Sequence, residues 1–109
     1  NDMLKASYKY IDKGVRNVLV SLGADGAILT DGKESYFCKS ASVAVNSTVG
    51  AGDSMVAAAC VGLIQDAPMQ EILKMSVAAG TASVTTSGTN LFYKDKYQEI
   101  YSKIYTQKM

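Results

Sequence analysis

The chain has 109 residues, of which 48% are hydrophobic and 19% charged; its formal net charge is +1 and it contains no histidine. That length supports one domain with a single core, and the composition is typical of a globular protein rather than a disordered one. The near-neutral charge without a basic block excludes an electrostatic nucleic-acid surface, and the missing histidine excludes the most frequent general base and metal ligand.

The first part of the chain predicts a helix followed by two short strands. Apolar residues recur at helical spacing over residues 4–15, and Gly14 is suited to end that helix. Residues 17–22 form a β-branched run that is typical of a buried strand. A turn at residues 23–26 separates it from a second strand at residues 27–30.

A hairpin is predicted next, because Asp31-Gly32 is a strong turn signal. Tyr36 and Phe37 belong to the returning strand, and residues 43–45 predict one more short strand. One strand and a hairpin are too few for an independent sheet. We therefore expect these residues to belong to a larger α/β protein.

The second part of the chain predicts three helices. Residues 54–65 are apolar on nearly every face, which predicts a buried helix. Pro68 and Glu71 mark the start of the next helix, which runs to about Thr81 or beyond, and residues 87–90 form a loop. A last helix carries an apolar stripe at Tyr97, Ile100, Tyr101, Ile104 and Tyr105.

Cysteine usage and the N-terminal residues predict a cytoplasmic protein. Cys38 and Cys60 form no CxxC pair, so two reduced thiols are the simplest interpretation. Residues 1–10 lack the continuous apolar region of a signal peptide. The longest apolar run, residues 55–64, is shorter than the roughly 20 residues that span a bilayer, so we expect no membrane partner.

An acid at the start of an apolar helix is the feature that points to chemistry. Asp53 follows three small residues, Gly50, Ala51 and Gly52. Small residues let backbone N–H groups converge on one point, and the helix dipole adds positive potential there, as in an anion site. Asp53 either caps the helix or accepts a proton from a hydroxyl while the amides hold a transferring phosphoryl group. The P-loop pattern is absent, and the dinucleotide pattern lacks a glycine where Met55 lies.

Two motifs, in order, resemble the ribokinase/PfkB family of carbohydrate kinases. STVGAGDSM at residues 47–55 resembles the C-terminal signature of that family, and SLGADGA at residues 21–27 resembles its nucleotide-binding turn. The resemblance extends over residues 15–88, and the residues of the two motifs are most similar to those of the sugar-phosphate kinases of the family. It implies an α/β fold, the C-terminal part of a ribokinase-like three-layer α/β/α sandwich, here incomplete. Residues 1–109 would be the nucleotide-binding portion, without the sugar-binding part and the lid.

The resemblance also implies roles for single residues. Asp53 would be the catalytic base, and Gly50, Ala51 and Gly52 would form the anion hole for the γ-phosphoryl group. ATP would be bound with Mg²⁺, although no cluster of metal ligands is visible in the sequence. Gly52 and Asp53 would also lie beside the nucleotide, together with the turn residues Ser21, Leu22, Gly23, Ala24, Asp25 and Gly26.

One further pattern has two interpretations. Ala78, Ala79 and Ala82 are small residues on a predicted helix. They either form a wall against the adenine or simply pack in the core.

Three functions stay open on the sequence. The chain is part of a sugar-phosphate kinase, or a nucleotide-binding module without catalysis, or a structural domain in which Asp53 only caps a helix. The first implies ATP and a sugar phosphate as partners and is compatible with a homodimer of the complete protein. Because the residues that grip the sugar lie outside this stretch, we expect residues 1–109 alone to be inactive.

Overall fold

The computed structural model describes residues 2–41, 51–85 and 94–109. The helices of this part are α1 (Asp2–Asp12), α2 (Ala51–Ile64), α3 (Met69–Val84) and α4 (Lys94–Lys103). The strands are β1 (Val18–Ser21), β2 (Ala27–Thr30), β3 (Ser35–Cys38) and β4 (Thr106–Lys108), and a 3-10 turn, Gly23–Asp25, joins β1 to β2. None of the described helices is long and apolar enough to cross a membrane.

The four strands form one antiparallel sheet in the order β1-β2-β3-β4. The hairpin between β2 and β3 confirms the prediction at Asp31-Gly32, since Gly32 has a φ of 90°. The carboxylate of Asp31 accepts hydrogen bonds from the backbone N–H groups of Lys33 and Glu34, both at 2.8 Å. These bonds, first the one from Glu34, hold the pKa of Asp31 below its usual value.

Helices lie on both sides of this sheet. Side chains alternate between the two faces of a strand. Ala27 and Leu29 therefore share a face, and both join the core with Val77 of α3. Ile28 and Thr30 belong to the opposite face and are also buried, and α1 contacts β1 and β2. The layers are thus helix, sheet and helix.

Helices α3 and α4 are joined by a polar contact at the edge of the core. The hydroxyl of Tyr101 donates a hydrogen bond to the Glu71 carboxylate, and the ammonium group of Lys74 lies 4.2 Å from the centre of the Tyr101 ring. Burial, and then the bond to Glu71, raise the pKa of Tyr101 to about 12. The contact fixes α4 against the N-terminal half of α3.

Helix α2 differs from the prediction in extent and in burial. It begins at Ala51 rather than at residue 54 and ends at Ile64. Within it, Met55 is buried, whereas the side chains of Val56 and Ile64 are 59% and 83% exposed. The expectation of a helix buried all round was therefore wrong for the described residues, because α3 packs against one side of α2 only.

The end of the chain also differs from the prediction. Helix α4 stops at Lys103, and the chain enters β4, where Gln107 is paired with Phe37 of β3. Ile104 is buried at the junction, but Tyr105, which we assigned to the helical stripe, lies outside the helix and is 67% exposed. The helical spacing of apolar residues extends to Tyr105 in the sequence, but the helix itself ends earlier because the following residues pair with β3.

Other boundaries follow the predictions more closely. Helix α1 ends before Gly14, which has a φ of 102°, so Val15 lies beyond the helix. Helix α3 begins immediately after Pro68, as expected. The strand predicted at residues 43–45 and the loop predicted at residues 87–90 lie outside the described residues.

Candidate functional site

A cavity of about 600 Å³ lies where the turn after β1 approaches the facing ends of α2 and α3. Its walls are the β1–β2 turn, the segment that follows β3, the first turns of α2 and one side of α3. The volume lies within the range of about 300–1,000 Å³ that is usual for small-molecule sites. The cavity therefore brings together the two sequence motifs, which are separated along the chain by both β2 and β3.

The β1–β2 turn supplies one wall. Four of the six turn residues that we assigned to the nucleotide line the cavity, namely Ser21, Gly23, Ala24 and Gly26, whereas Leu22 and Asp25 do not. The turn is closed by its own backbone, since the N–H of Leu22 donates to the carbonyl oxygen of Gly26 at 2.8 Å. The N–H of Gly26 donates in turn to the carbonyl oxygen of Gly23 at 3.2 Å.

Gly26 is the residue that fastens this turn to the end of β3. Its φ is 112°, a conformation that residues with a side chain rarely adopt. A Cβ there would also stand 1.9 Å from the carbonyl oxygen of Cys38 and 2.9 Å from the Cα of Lys39. Only glycine fits both conditions, and its contact brings the segment after β3 to the cavity wall.

The start of α2 supplies the second wall. Ala51 and Gly52 line the cavity, and the backbone N–H groups of a first helical turn are free to bind a ligand. Gly52 is helical and exposed, and a Cβ there would meet no atom of the described residues within 4 Å. Packing therefore does not require glycine at this position. Gly50, the remaining member of the predicted anion hole, lies outside the described residues.

Asp53 is the third residue of α2, inside its first turn rather than ahead of it. Asp53 is thus not the N-cap residue itself, but an acid at the third helical position also stabilises a helix start, so the capping and the catalytic interpretations both stay open. The side chain is exposed and is not among the described residues that line the cavity. It therefore stands next to the cavity, at the positive end of the helix dipole.

Helix α3 presents a different face to the cavity than we predicted. The lining residues are Val77, Gly80, Thr81 and Val84, which share one side of the helix. Ala78 and Ala82 are instead fully buried in the core, and Ala79 is buried without lining the cavity. None of the three alanines lines the cavity, and their burial supports the alternative interpretation, packing in the core. The helical period was visible in the sequence, but not which side faces the sheet.

The segment after β3 contributes residues that the sequence analysis missed. Lys39, Ser40 and Ala41 line the cavity, as does Met55 from α2. Lys39 carries the only charge among the described lining residues. Its proximity to the turn depends on the contact between Gly26 and Cys38, which no local sequence pattern predicts. The described residues contain no group of three or more Cys, Asp and Glu side chains that could hold a metal ion.

Comparison with known proteins identifies the family. Residues 1–96 match the family model of the pfkB family carbohydrate kinases. The chain belongs to the PfkB family. It is 38% identical over 103 residues to the ATP-dependent 6-phosphofructokinase isozyme 2 of Escherichia coli K12, covering 94% of this chain and 33% of that protein. It is 33% identical over 90 residues to the 1-phosphofructokinase of the same strain, covering 83% of this chain and 29% of that protein.

The fold of this PfkB chain is that of the ribokinases. The structure of ribokinase from Thermotoga maritima aligns with it at a TM-score of 0.77 and 28% identity, covering 91% of this chain and 34% of that one. The expected ribokinase-like α/β fold is therefore confirmed. The PfkB chain spans about a third of the length of the curated relatives described above.

Proposed function

We propose that this PfkB chain supplies the nucleotide site, the anion-binding helix start and the catalytic base of an ATP-dependent sugar-phosphate kinase. One observation carries the proposal: a single cavity is lined both by the β1–β2 turn and by Ala51 and Gly52 at the start of α2. These are the two segments that match the kinase motifs. A nucleotide that fills this cavity would touch both of them.

The chemistry of the walls fits a nucleotide. Val77 and Val84 offer apolar surface to a base, and the first N–H groups of α2, at Ala51 and Gly52, suit a phosphate. Mg²⁺ is commonly held by the phosphates of the substrate, by water and by one or two carboxylates, so we propose that it enters with ATP. The helix start then stabilises the charge of the phosphoryl group during transfer.

Asp53 is the proposed base. Its carboxylate takes the proton of the acceptor hydroxyl while the hydroxyl oxygen bonds to the γ-phosphorus and the bond to the leaving ADP breaks. A base for this step must lie beside the bound phosphoryl group but face the acceptor. Asp53 follows Gly52 directly and its side chain is exposed outside the cavity lining, which supports its assignment as this base.

The acceptor would be bound by a further part of the intact kinase. Because the chain spans about a third of its relatives, we propose that the sugar-binding part and a lid belong to the remaining length. Our preferred reaction converts fructose 1-phosphate to fructose 1,6-bisphosphate in the cytoplasm, within a homodimer. Tagatose 6-phosphate and other sugars of the PfkB kinases are the alternatives, and the name of the isozyme 2 relative adds fructose 6-phosphate.

The test is Asp53→Asn in the intact kinase that contains these residues. We expect kcat to fall by roughly 10²–10⁴, because an amide cannot accept the proton. Stability should change by less than about 1 kcal/mol, the usual value of one charge at a helix start. Asp66→Asn is the matched control: Asp66 follows the end of the same helix, is exposed and has a φ of 54°, which asparagine also adopts. A near-normal kcat in Asp53→Asn would contradict the proposal.

A panel of acceptors identifies the substrate. Purified intact kinase is given ATP, Mg²⁺ and fructose 1-phosphate, fructose 6-phosphate or tagatose 6-phosphate, and ADP formation is measured. The highest kcat/KM should be found with fructose 1-phosphate. ATP binding without turnover of any sugar phosphate would favour the nucleotide-binding module, and no ATP binding would favour the structural domain.

A further inference from the structure

Lys39 lies where the cavity meets the end of β3. It lines the cavity, and its side chain is exposed. It brings the only charge among the lining residues that the structure describes, and no ion pair within the described residues uses its ammonium group. Other lysines are placed differently. The ammonium group of Lys74, for example, lies over the ring of Tyr101.

The backbone around Lys39 is held in place by the turn. The position that a Cβ of Gly26 would take is 2.9 Å from the Cα of Lys39, so the two backbones are in direct contact. The preceding residue, Cys38, is fully buried and paired with Ala27 across the sheet. Lys39 is thus a flexible cationic side chain on a backbone that is held in place, at the same wall as the β1–β2 turn.

Charge balance indicates what this side chain binds. A nucleoside triphosphate carries several negative charges, which the Mg²⁺ that enters with it and the roughly half positive charge at the start of α2 neutralise only in part. An ammonium group is a strong partner for phosphate oxygens. We propose that Lys39 binds the polyphosphate chain of the nucleotide and positions it between the turn and α2. This assignment rests on the proposed kinase function. Lys39 and the β1–β2 turn line one cavity, which Asp53, the proposed base for the acceptor, does not line, so the phosphate in question is that of the nucleotide rather than that of the sugar.

Nucleotides with different numbers of phosphates test the assignment. Binding of ATP, ADP and adenosine to the intact kinase is measured by calorimetry for the wild type, Lys39→Gln, Lys39→Arg and the control Lys33→Gln. Lys33 is an exposed lysine of the β2–β3 hairpin that does not line the cavity. Lys39→Gln should weaken ATP binding by about tenfold or more, ADP binding by less and adenosine binding by under twofold. Lys39→Arg should retain most of the affinity, and Lys33→Gln should match the wild type.

Three outcomes would overturn the assignment. Equal losses for ATP and adenosine in Lys39→Gln would mean that the residue serves packing. Unchanged ATP binding in Lys39→Gln, with a wild type that binds ATP, would remove the role of Lys39 and leave the kinase proposal standing. A folded wild type that binds none of the three ligands would overturn both.

A second measurement needs no variant. Lysine acetylation of the wild-type protein is followed residue by residue with and without ligand. ATP should protect Lys39, adenosine should not, and neither should protect Lys33. Equal modification of Lys39 with and without saturating ATP would count against the assignment.

Discussion

Met55 of α2 packs directly on Gly80 of α3. A Cβ on Gly80 would stand 2.6 Å from the Cγ of Met55 and 3.1 Å from its Sδ. Both residues line the cavity. The start of α2 can therefore lie this close to the cavity-facing side of α3 because Gly80 has no side chain.

Gly80→Ala should force Met55 toward the cavity. Overpacking costs about 1–3 kcal/mol and alanine regains about 1 kcal/mol of helix propensity, so the net loss of stability should be small. ATP affinity should fall several-fold, because the displaced thioether occupies ligand space. The control is Gly62→Ala, where a Cβ would stand 2.8 Å from the Cγ1 of Ile72 in the same helix pair but away from the cavity lining. Melting temperature and ATP Kd separate the two; equal loss of ATP affinity in both variants would contradict this account.

Gly52→Val separates the needs of the ligand from those of the fold. Gly52 is helical, and a Cβ there would meet none of the described residues within 4 Å, so stability should be unchanged or higher. If its amide approaches the transferring phosphoryl group, the valine side chain crowds the substrate and kcat should fall by about 10²–10³. Gly32→Ala should do the reverse, since Gly32 has a φ of 90° and its Cβ would stand 2.8 Å from the Cγ2 of Ile11.

The expected result for Gly32→Ala is a loss of about 1 kcal/mol or more of stability, with normal kcat per folded molecule. Thermal melts and saturating-ATP kinetics on both variants give the comparison. If Gly52→Val kept a wild-type kcat, the helix start would not hold the phosphoryl group.

The two cysteines should differ strongly in reactivity. Cys38 is fully buried, and that burial raises the pKa of its thiol to about 11, whereas Cys60 is exposed on α2. Since the thiolate is the reactive form, a disulfide reagent at pH 8 should modify Cys60 quickly and Cys38 only when the protein unfolds. Cys60→Ser should abolish the fast phase. Two fast thiols in the folded chain would mean that β3 is not packed as described.

Alkaline titration should report the contact between α3 and α4. The raised pKa of Tyr101, about 12, means that its neutral form is favoured in the folded state. The stability that this contributes is complete below about pH 10 and is lost as the pH rises toward 12. Tyr101→Phe should remove the latest step in the tyrosinate absorbance, whereas Tyr105→Phe should leave it in place, because Tyr105 is 67% exposed. An unchanged late step in Tyr101→Phe would assign it to another tyrosine.

Local signals in the sequence were sufficient for much of the fold. The Asp31-Gly32 turn carries its own chemistry, and the helical periods of α1 and α3 depend on nearby residues only. Residues 106–108 were missed because their strand conformation depends on pairing with β3 rather than on their own composition.

The candidate site, like the fold, has parts that local sequence signals predict and parts that they do not. The turn and the start of α2 are recognisable as motifs, and the structure brings them to one cavity. Lys39 could not be found from the sequence, since the contact between Gly26 and Cys38 determines its place. The cavity-facing side of α3 depends likewise on how the helix is rotated against the sheet, which propensity does not specify.

The exposed side of α2 also provides an attachment site for a fluorescent probe. Asp53 and Cys60 are seven residues apart, so they lie on the same side of the helix, about 10 Å from each other along its axis. Val56 and Ile64 flank the thiol on that apolar side. A solvent-sensitive fluorophore attached to Cys60 would shift its emission when another surface covers this side of α2. The emission would thus report whether another part of the protein packs on α2 next to the proposed base. The measurement needs no nucleotide, sugar or turnover.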